Sequence, residues 1–163
     1  MTAEELLRQY AAGERYFRGV NLRGVFLRGV SLKQIDLRWA DLSQASLVDV
    51  NFSEANLHGA KLNDSLLISA KFNQANLTQA NFTSAILILA NLSQTSLNQT
   101  NFQNANLSLA NFQAASHWSS AHLQSAILKG AIMPDGKVVG KMKGWKKRHS
   151  VVNVLNFNVA DLS

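Results

Sequence analysis

The sequence predicts an all-β solenoid: a coil of square cross-section with about six turns and a short α-helix capping its N-terminal end. Three observations predict it. Phe or Leu recurs at every fifth residue from Phe17 to Phe112 without a gap, twenty centres in all. From Val20 onward a smaller residue stands two before each centre, most often Ala, as at positions 40, 45, 55, 60, 70, 75, 80, 85, 90, 105 and 110. One residue before the centre is often Asn or Asp, as at Asp41, Asn51, Asn56, Asn76, Asn81, Asn91, Asn101, Asn106 and Asn111.

A period of five suits neither ordinary element. On an α-helix each step of five turns the side chain by about 140°, so the leucines would spiral around the rod and leave no buried face. On a flat strand an odd period throws successive leucines to opposite faces. The pattern needs a backbone that turns a corner every five residues, so that each centre and the small residue two before it point inward. Four corners close a coil of 20 residues, and coils stack at the strand spacing of roughly 4.8 Å. The segments "ANLTQANF", "ANLSQ" and "ANFQAA" closely match A(N/D)LXX, and the chain resembles the pentapeptide repeat family over about residues 15–133. That resemblance implies a right-handed quadrilateral β-helix. It implies little about role, because family members range from suspected scaffolds to gyrase-binding proteins.

Each element follows from its residues. In residues 1–14, Thr2 with Glu5 matches a capping box, Leu6, Leu7 and Tyr10 share one side of a helix, and Gly13 is placed to end it. A helix over 3–12 should close the first coil with its apolar side. Residues 15–133 form the coil. After Phe112 the centres are best read as Trp118, Leu123, Leu128 and Met133, preceded by Ser116, Ala121, Ala126 and Ala131. One inserted residue near "AASHW" therefore predicts a bulge or bent corner. Twenty-four centres give about six coils, a rod on the order of 29 Å long. Residues 134–163 are a turn and a basic tail, with Pro134-Asp135-Gly136 reading as a tight turn or hairpin that stops the coil. Within the tail Val152, Phe157 and Leu162 are again five apart.

Stacked positions lie 20 apart, which allows the interior and the faces to be read. Phe52 over Phe72 and Phe82 over Phe102 should form aromatic stacks on opposite sides. Asn56 with Asn76, Asn81 with Asn101 and Asn91 with Asn111 should form short ladders. Arg18, Arg23, Arg28, Lys33 and Arg38 make a basic collar on the first coil, read either as a solvated rim that deters end-to-end stacking or as a docking site for an anionic partner.

Composition narrows the function classes. The 163 residues contain no cysteine, which removes disulfides, thiol nucleophiles and cysteine-ligated metals. From Ser65 to Pro134 there is no Asp or Glu, and only Lys71 and Lys129 carry charge. General acid–base work needs ionisable groups converging in a pocket, and a rod filled with Leu, Phe and Ala leaves none. His117 and His122 flank Trp118 without carboxylate neighbours and read as surface residues. Catalysis, a cofactor, a metal site and a small-molecule substrate are not expected. The N-terminal segment has acids where a signal peptide carries basic residues, and no apolar run approaches the roughly 20 residues of a membrane span. A cytoplasmic protein is the expectation. The net charge of +6 is concentrated, with six of the 16 basic residues between Lys137 and Arg148 and no acid there. Gyrase inhibition by DNA mimicry, known in the family, needs a strongly acidic rod, which this is not.

One side differs from the rest. Val48, Leu66, Ile68, Ile86, Ile88, Leu89 and Leu109 converge on the side whose centres are Leu27, Leu47, Leu67, Leu87 and Leu107. A contiguous apolar patch of this kind marks an interface, either with an unknown protein partner or with a second copy as a homodimer, unless the C-terminal tail folds over it. A non-catalytic interaction or scaffold module is the leading reading. The alternative places nucleic acid or an anionic membrane surface on the tail, through Lys141, Lys143, Trp145, Lys146, Lys147 and Arg148.

Overall fold

The computed structural model describes residues 1–140. Helix α1 spans Ala3–Ala11, opened by the Thr2–Glu5 capping box. It ends one residue before the expected Ala12, and the chain then passes through Gly13 at φ +97°. Leu6 is fully buried, while Ala3, Leu7 and Tyr10 pack partly buried against the core. The Tyr10 hydroxyl also donates to the Lys33 carbonyl at 2.9 Å, so the helix is tied to the first coil by both apolar and polar contact.

The rest of the described chain is the predicted right-handed quadrilateral β-helix. Parallel bridges link residues 20 apart from Tyr16–Asp36 to Ser96–Ser116. We number the four sides by their first centres: Phe17, Leu22, Leu27 and Leu32. Each repeat gives the coil three ladder bonds. For Leu67, the centre N–H donates to Ile86 of the next coil at 2.8 Å, and the N–H of Ser69 donates to Ile88 at 2.9 Å. The N–H of Leu66, just before the centre, donates back to Ala45 at 2.9 Å.

Corners come from a four-residue turn that closes on the centre's own carbonyl, as Ala40 N–H to Leu37 at 3.1 Å. Its third residue takes positive φ, the requirement of a type II turn. Glycines meet it at Gly19, Gly24, Gly29, Gly59 and Gly130, but so do Gln34, Trp39, Asp49, Leu89 and Leu109. At Gly59 a second constraint joins the first. The Trp39 ring lies over its Cα, 2.1 Å from where a Cβ would stand. The same ring meets His58 edge-on at 4.7 Å. Gly59→Ala should therefore destabilise by more than Gly19→Ala, whose φ is similar but whose surroundings are empty. For Gly19→Ala the left-handed backbone alone costs roughly 1–2 kcal/mol. Urea unfolding of the two variants checks this, and equal losses would remove any role for the Trp39 contact.

The interior is filled. Every centre from Phe17 to Phe112 is 2% exposed or less. Phe52 stacks on Phe72 at 5.6 Å and Phe82 on Phe102 at 5.1 Å. Rings on opposite sides also meet edge-to-face across the axis, Phe72 with Phe82 at 5.8 Å and Phe102 with Phe112 at 6.0 Å. The separate stacks thus join into one aromatic column that ends on Trp118, 4.8 Å from Phe112.

Two local expectations change. The asparagines mainly serve their own turns: the side-chain oxygens of Asn81, Asn91, Asn101 and Asn111 each accept the N–H two residues on, at 2.9–3.0 Å. Asn76 and Asn56 do bond between coils, at 3.4 Å, but the N–H within the turn is the closer donor. The register slip falls one residue later than Ser116. Ser116 still bridges Ser96, Ala115 is the buried small residue, and the extra residue is His117 at φ +58°. A 3₁₀ turn, Trp118–Ser120, follows, and from Asn101–His122 onward bridged residues are 21 apart. At the end, Gly136 N–H bonds to Met133 and Met133 N–H to Lys137, closing a hairpin that brings Val138 antiparallel to Ile132.

Candidate interaction face

Ionic groups collect at the N-terminal coil but do not form a concentrated site. Arg18, Arg23, Arg28 and Lys33 are exposed and Arg38 is half-buried. Asp36, 7% exposed, takes Arg18 at 2.9 Å and Arg38 at 2.6 Å, so part of the collar is neutralised from within. Asp41 accepts the Ser43 hydroxyl at 2.5 Å, which with the Ser43 N–H holds its carboxyl below the usual range. Among the described residues no three His, Asp or Glu side chains gather as metal ligands, and no helix is long and apolar enough to cross a membrane. The candidate anion-binding residues of the tail, Lys141, Lys143, Trp145, Lys146, Lys147 and Arg148, lie outside the described residues.

The third side carries the contiguous apolar surface. Bridges stack Phe26, Ser46, Leu66, Ile86, Asn106 and Ile127 in one column. Beside it run Val48, Ile68 and Ile88, linked coil to coil by the bonds from Asp49 to Ile68 and from Ser69 to Ile88. The corner column adds Leu89 and Leu109. Leu66, Ile68, Ile86, Ile88, Leu89 and Leu109 are half-buried, each offering part of its side chain to solvent. Val48 is only 6% exposed, shorter than its column neighbours Arg28 and Ile68, and forms floor rather than surface. Two residues extend the face beyond the patch read from the sequence: Phe26, 81% exposed, at its N-terminal end, and Ile127, 52% exposed, at the other. Phe26 was legible from the 20-residue spacing. Ile127 was legible as well, since it directly precedes Leu128, the centre read after the slip.

Leu89 and Leu109 sit in the left-handed region at φ +61° and +60°. Bulky side chains avoid it, and other coils place Gly29, Asp49 and Ser69 in this column. Leu109 also rests on Gly130, 2.6 Å from where a Cβ would project. Two strained leucines in adjacent coils therefore widen the apolar surface at its edge.

Comparison with known proteins places the coil. The rod resembles Rfr23, a pentapeptide repeat protein of the cyanobacterium Cyanothece, at 26% identity over 83% of this chain and 99% of that one, with a TM-score of 0.52. HetL of the cyanobacterium Nostoc, a pentapeptide repeat protein involved in heterocyst differentiation regulation, is 25% identical over 85% of this chain and 99% of its own, with a TM-score of 0.47. The fold is shared with trypsin-treated QnrB1, a plasmid-mediated fluoroquinolone resistance protein, at 17% identity over 72% of this chain and 60% of that one, with a TM-score of 0.51. No curated protein matches the sequence. The model of pentapeptide repeats matches in eight copies, at residues 35–74, 62–99 and 85–116, together half of the chain. Those copies fall on the coils whose centres, corners and ladders are described above, and the chain belongs to the pentapeptide repeat family.

Proposed function

We propose that this protein is a non-catalytic interaction module that binds an extended apolar segment of a partner protein along its third side. The observation that supports the reading most is the run of outward apolar residues Leu66, Ile68, Ile86, Ile88, Leu89 and Leu109 over adjacent coils, two of them held in a strained backbone. A catalytic reading finds no support in an interior where each centre up to Phe112 is 2% exposed or less.

The size of the face bears on the occupant. From Phe26 to Ile127, six coils at about 4.8 Å by one side of at most about 17 Å offer roughly 490 Å². A stable protein pair buries about 800 Å² on each partner. A second copy docked flat on this side would fall well short, whereas a single extended segment matches a surface of this length and width.

The double variant Ile86→Asp with Ile88→Asp tests the reading, since both side chains point outward and the coil beneath is untouched. Panning a displayed library of random peptides against the protein should return segments rich in alternating apolar residues. Their binding should fall at least tenfold in the double variant while its circular dichroism stays that of the parent. Equal binding by parent and variant would remove the third side from the function. A parent that scatters light as a dimer, with the variant monomeric, would replace the partner by a second copy.

A further inference from the structure

The first side, opposite the apolar one, carries two exposed aromatic rings. Tyr16 in the first coil is 74% exposed, and Trp39, at the corner of the second, is 57% exposed. Between them Arg18 and Arg38 both bind Asp36, at 2.9 and 2.6 Å. Across the corner Asp41 and Lys61 stand in one column on the second side. Three cations against two carboxylates leave a surplus of one positive charge around Trp39. That is too little to hold a polyanion, whose binding grows with each phosphate neutralised. Beyond Trp39 and His58 the first side continues with Thr78 and Gln79, then Asn98 and Gln99, and the Gln79 amide donates to Gln99 at 3.1 Å.

Trp39 is held in a way the coil itself does not require. Its φ of +60° is one that bulky side chains avoid, and its column elsewhere holds Gly19, Gly59, Gln79 and Gln99. Three atoms of its six-membered ring lie 2.1–2.7 Å from where a Cβ of residue 59 would stand, so the glycine makes room for the ring. His58 meets the ring edge-on at 4.7 Å and fixes its plane. Backbone strain and a vacated neighbour thus fix an indole that keeps more than half of its surface in water. A ring already held in place loses little freedom when a ligand binds it.

A sugar fits this chemistry. The C–H face of a pyranose stacks on an aromatic ring, and the hydroxyls on its rim bond to planar amide, guanidinium and carboxylate groups. The spacing agrees as well: three residues across the side and one coil along it put Tyr16 and Trp39 about 11 Å apart, close to the length of a disaccharide. We propose that the first side binds a neutral oligosaccharide chain, one sugar stacked on Trp39 and another on Tyr16, with hydroxyls bonded to the Asp36 cluster and to Gln79. The assignment is independent of the partner-binding reading, because the first and third sides are opposite faces of the rod.

The labelled full-length protein, applied to an array of neutral glucose, mannose, galactose and N-acetylglucosamine oligomers, should bind at least one of them. Trp39→Gln places at this corner the residue that its column carries at 79 and 99. It should weaken sugar binding roughly tenfold or more, while the urea midpoint stays at or above that of the parent. Trp39→Tyr, which keeps a ring, should retain part of the binding. No binding to any neutral oligomer, or binding that Trp39→Gln leaves intact, would overturn the proposal. Binding lost together with a lower urea midpoint would assign the ring to holding the coil, and binding confined to an oligothymidylate on the same array would make the rings a platform for bases. Either of those results overturns it too.

Discussion

Phe82→Ala is expected to lower the unfolding free energy by about 3–5 kcal/mol and to divide one urea transition into two. Phe82 is fully buried, stacks on Phe102 at 5.1 Å and meets the edge of Phe72 at 5.8 Å. Truncation leaves a cavity that the fixed square of backbone cannot collapse, and it removes the ring that joins the lower half of the aromatic column to the upper. In a solenoid each coil contacts only its neighbours, so stability is a sum of coil and interface contributions. Weakening one central interface by several kcal/mol uncouples what lies on either side. Hydrogen exchange on the ladder amides should then show residues 17–72 and 102–132 opening with different free energies, where the parent opens as one. A single transition shifted by less than 1 kcal/mol would mean that the column contributes area but no coupling.

The sequence revealed the inward half of the molecule and concealed much of the outward half. Inward positions are dictated by burial, and a large side chain every fifth residue with a small one two before it admits one solution. The αL corner residue was not inferred, although five glycines at that position of the repeat marked it, because Gln, Asp, Leu and Trp occupy the same backbone conformation elsewhere. The asparagine ladders were overdrawn for a related reason. Spacing shows which side chains stack, but not that each amide oxygen finds the N–H of its own turn first. At the slip, Ser116 looked like the small inward residue because it lies two before Trp118. The ladder instead holds Ser116 to Ser96, and His117 absorbs the insertion by turning left-handed. On the third side the same limits apply. The 20-residue spacing brought Leu66, Ile68, Ile86, Ile88, Leu89 and Leu109 together, yet it could not show that Val48 is floor.

The second large effect is expected at a corner. Ala90 is fully buried and lies between Ala70 and Ala110 in its column, tied to them through Asn91 N–H to Ala70 and Asn111 N–H to Ala90, both 2.9 Å. Larger corner residues occur near the N-terminal end: Val20, Val25 and Val30 are half-buried in the first coil, and Ile35 and Val50 follow. From Ala55 to Ala115 no corner holds anything larger than Thr. Ala90→Leu must therefore displace backbone, at a cost of about 1–3 kcal/mol. Because Ala90 directly follows Leu89, displacement of that corner moves the edge of the apolar face. Ala75→Leu, at an equally buried corner on another side, serves as the comparison. Both should lose stability to urea by similar amounts, but only Ala90→Leu should weaken binding of a peptide held on the third side. Equal binding losses would mean that the face responds to global stability and not to its own edge. No stability loss in either variant would mean that the corners are not packed to their limit.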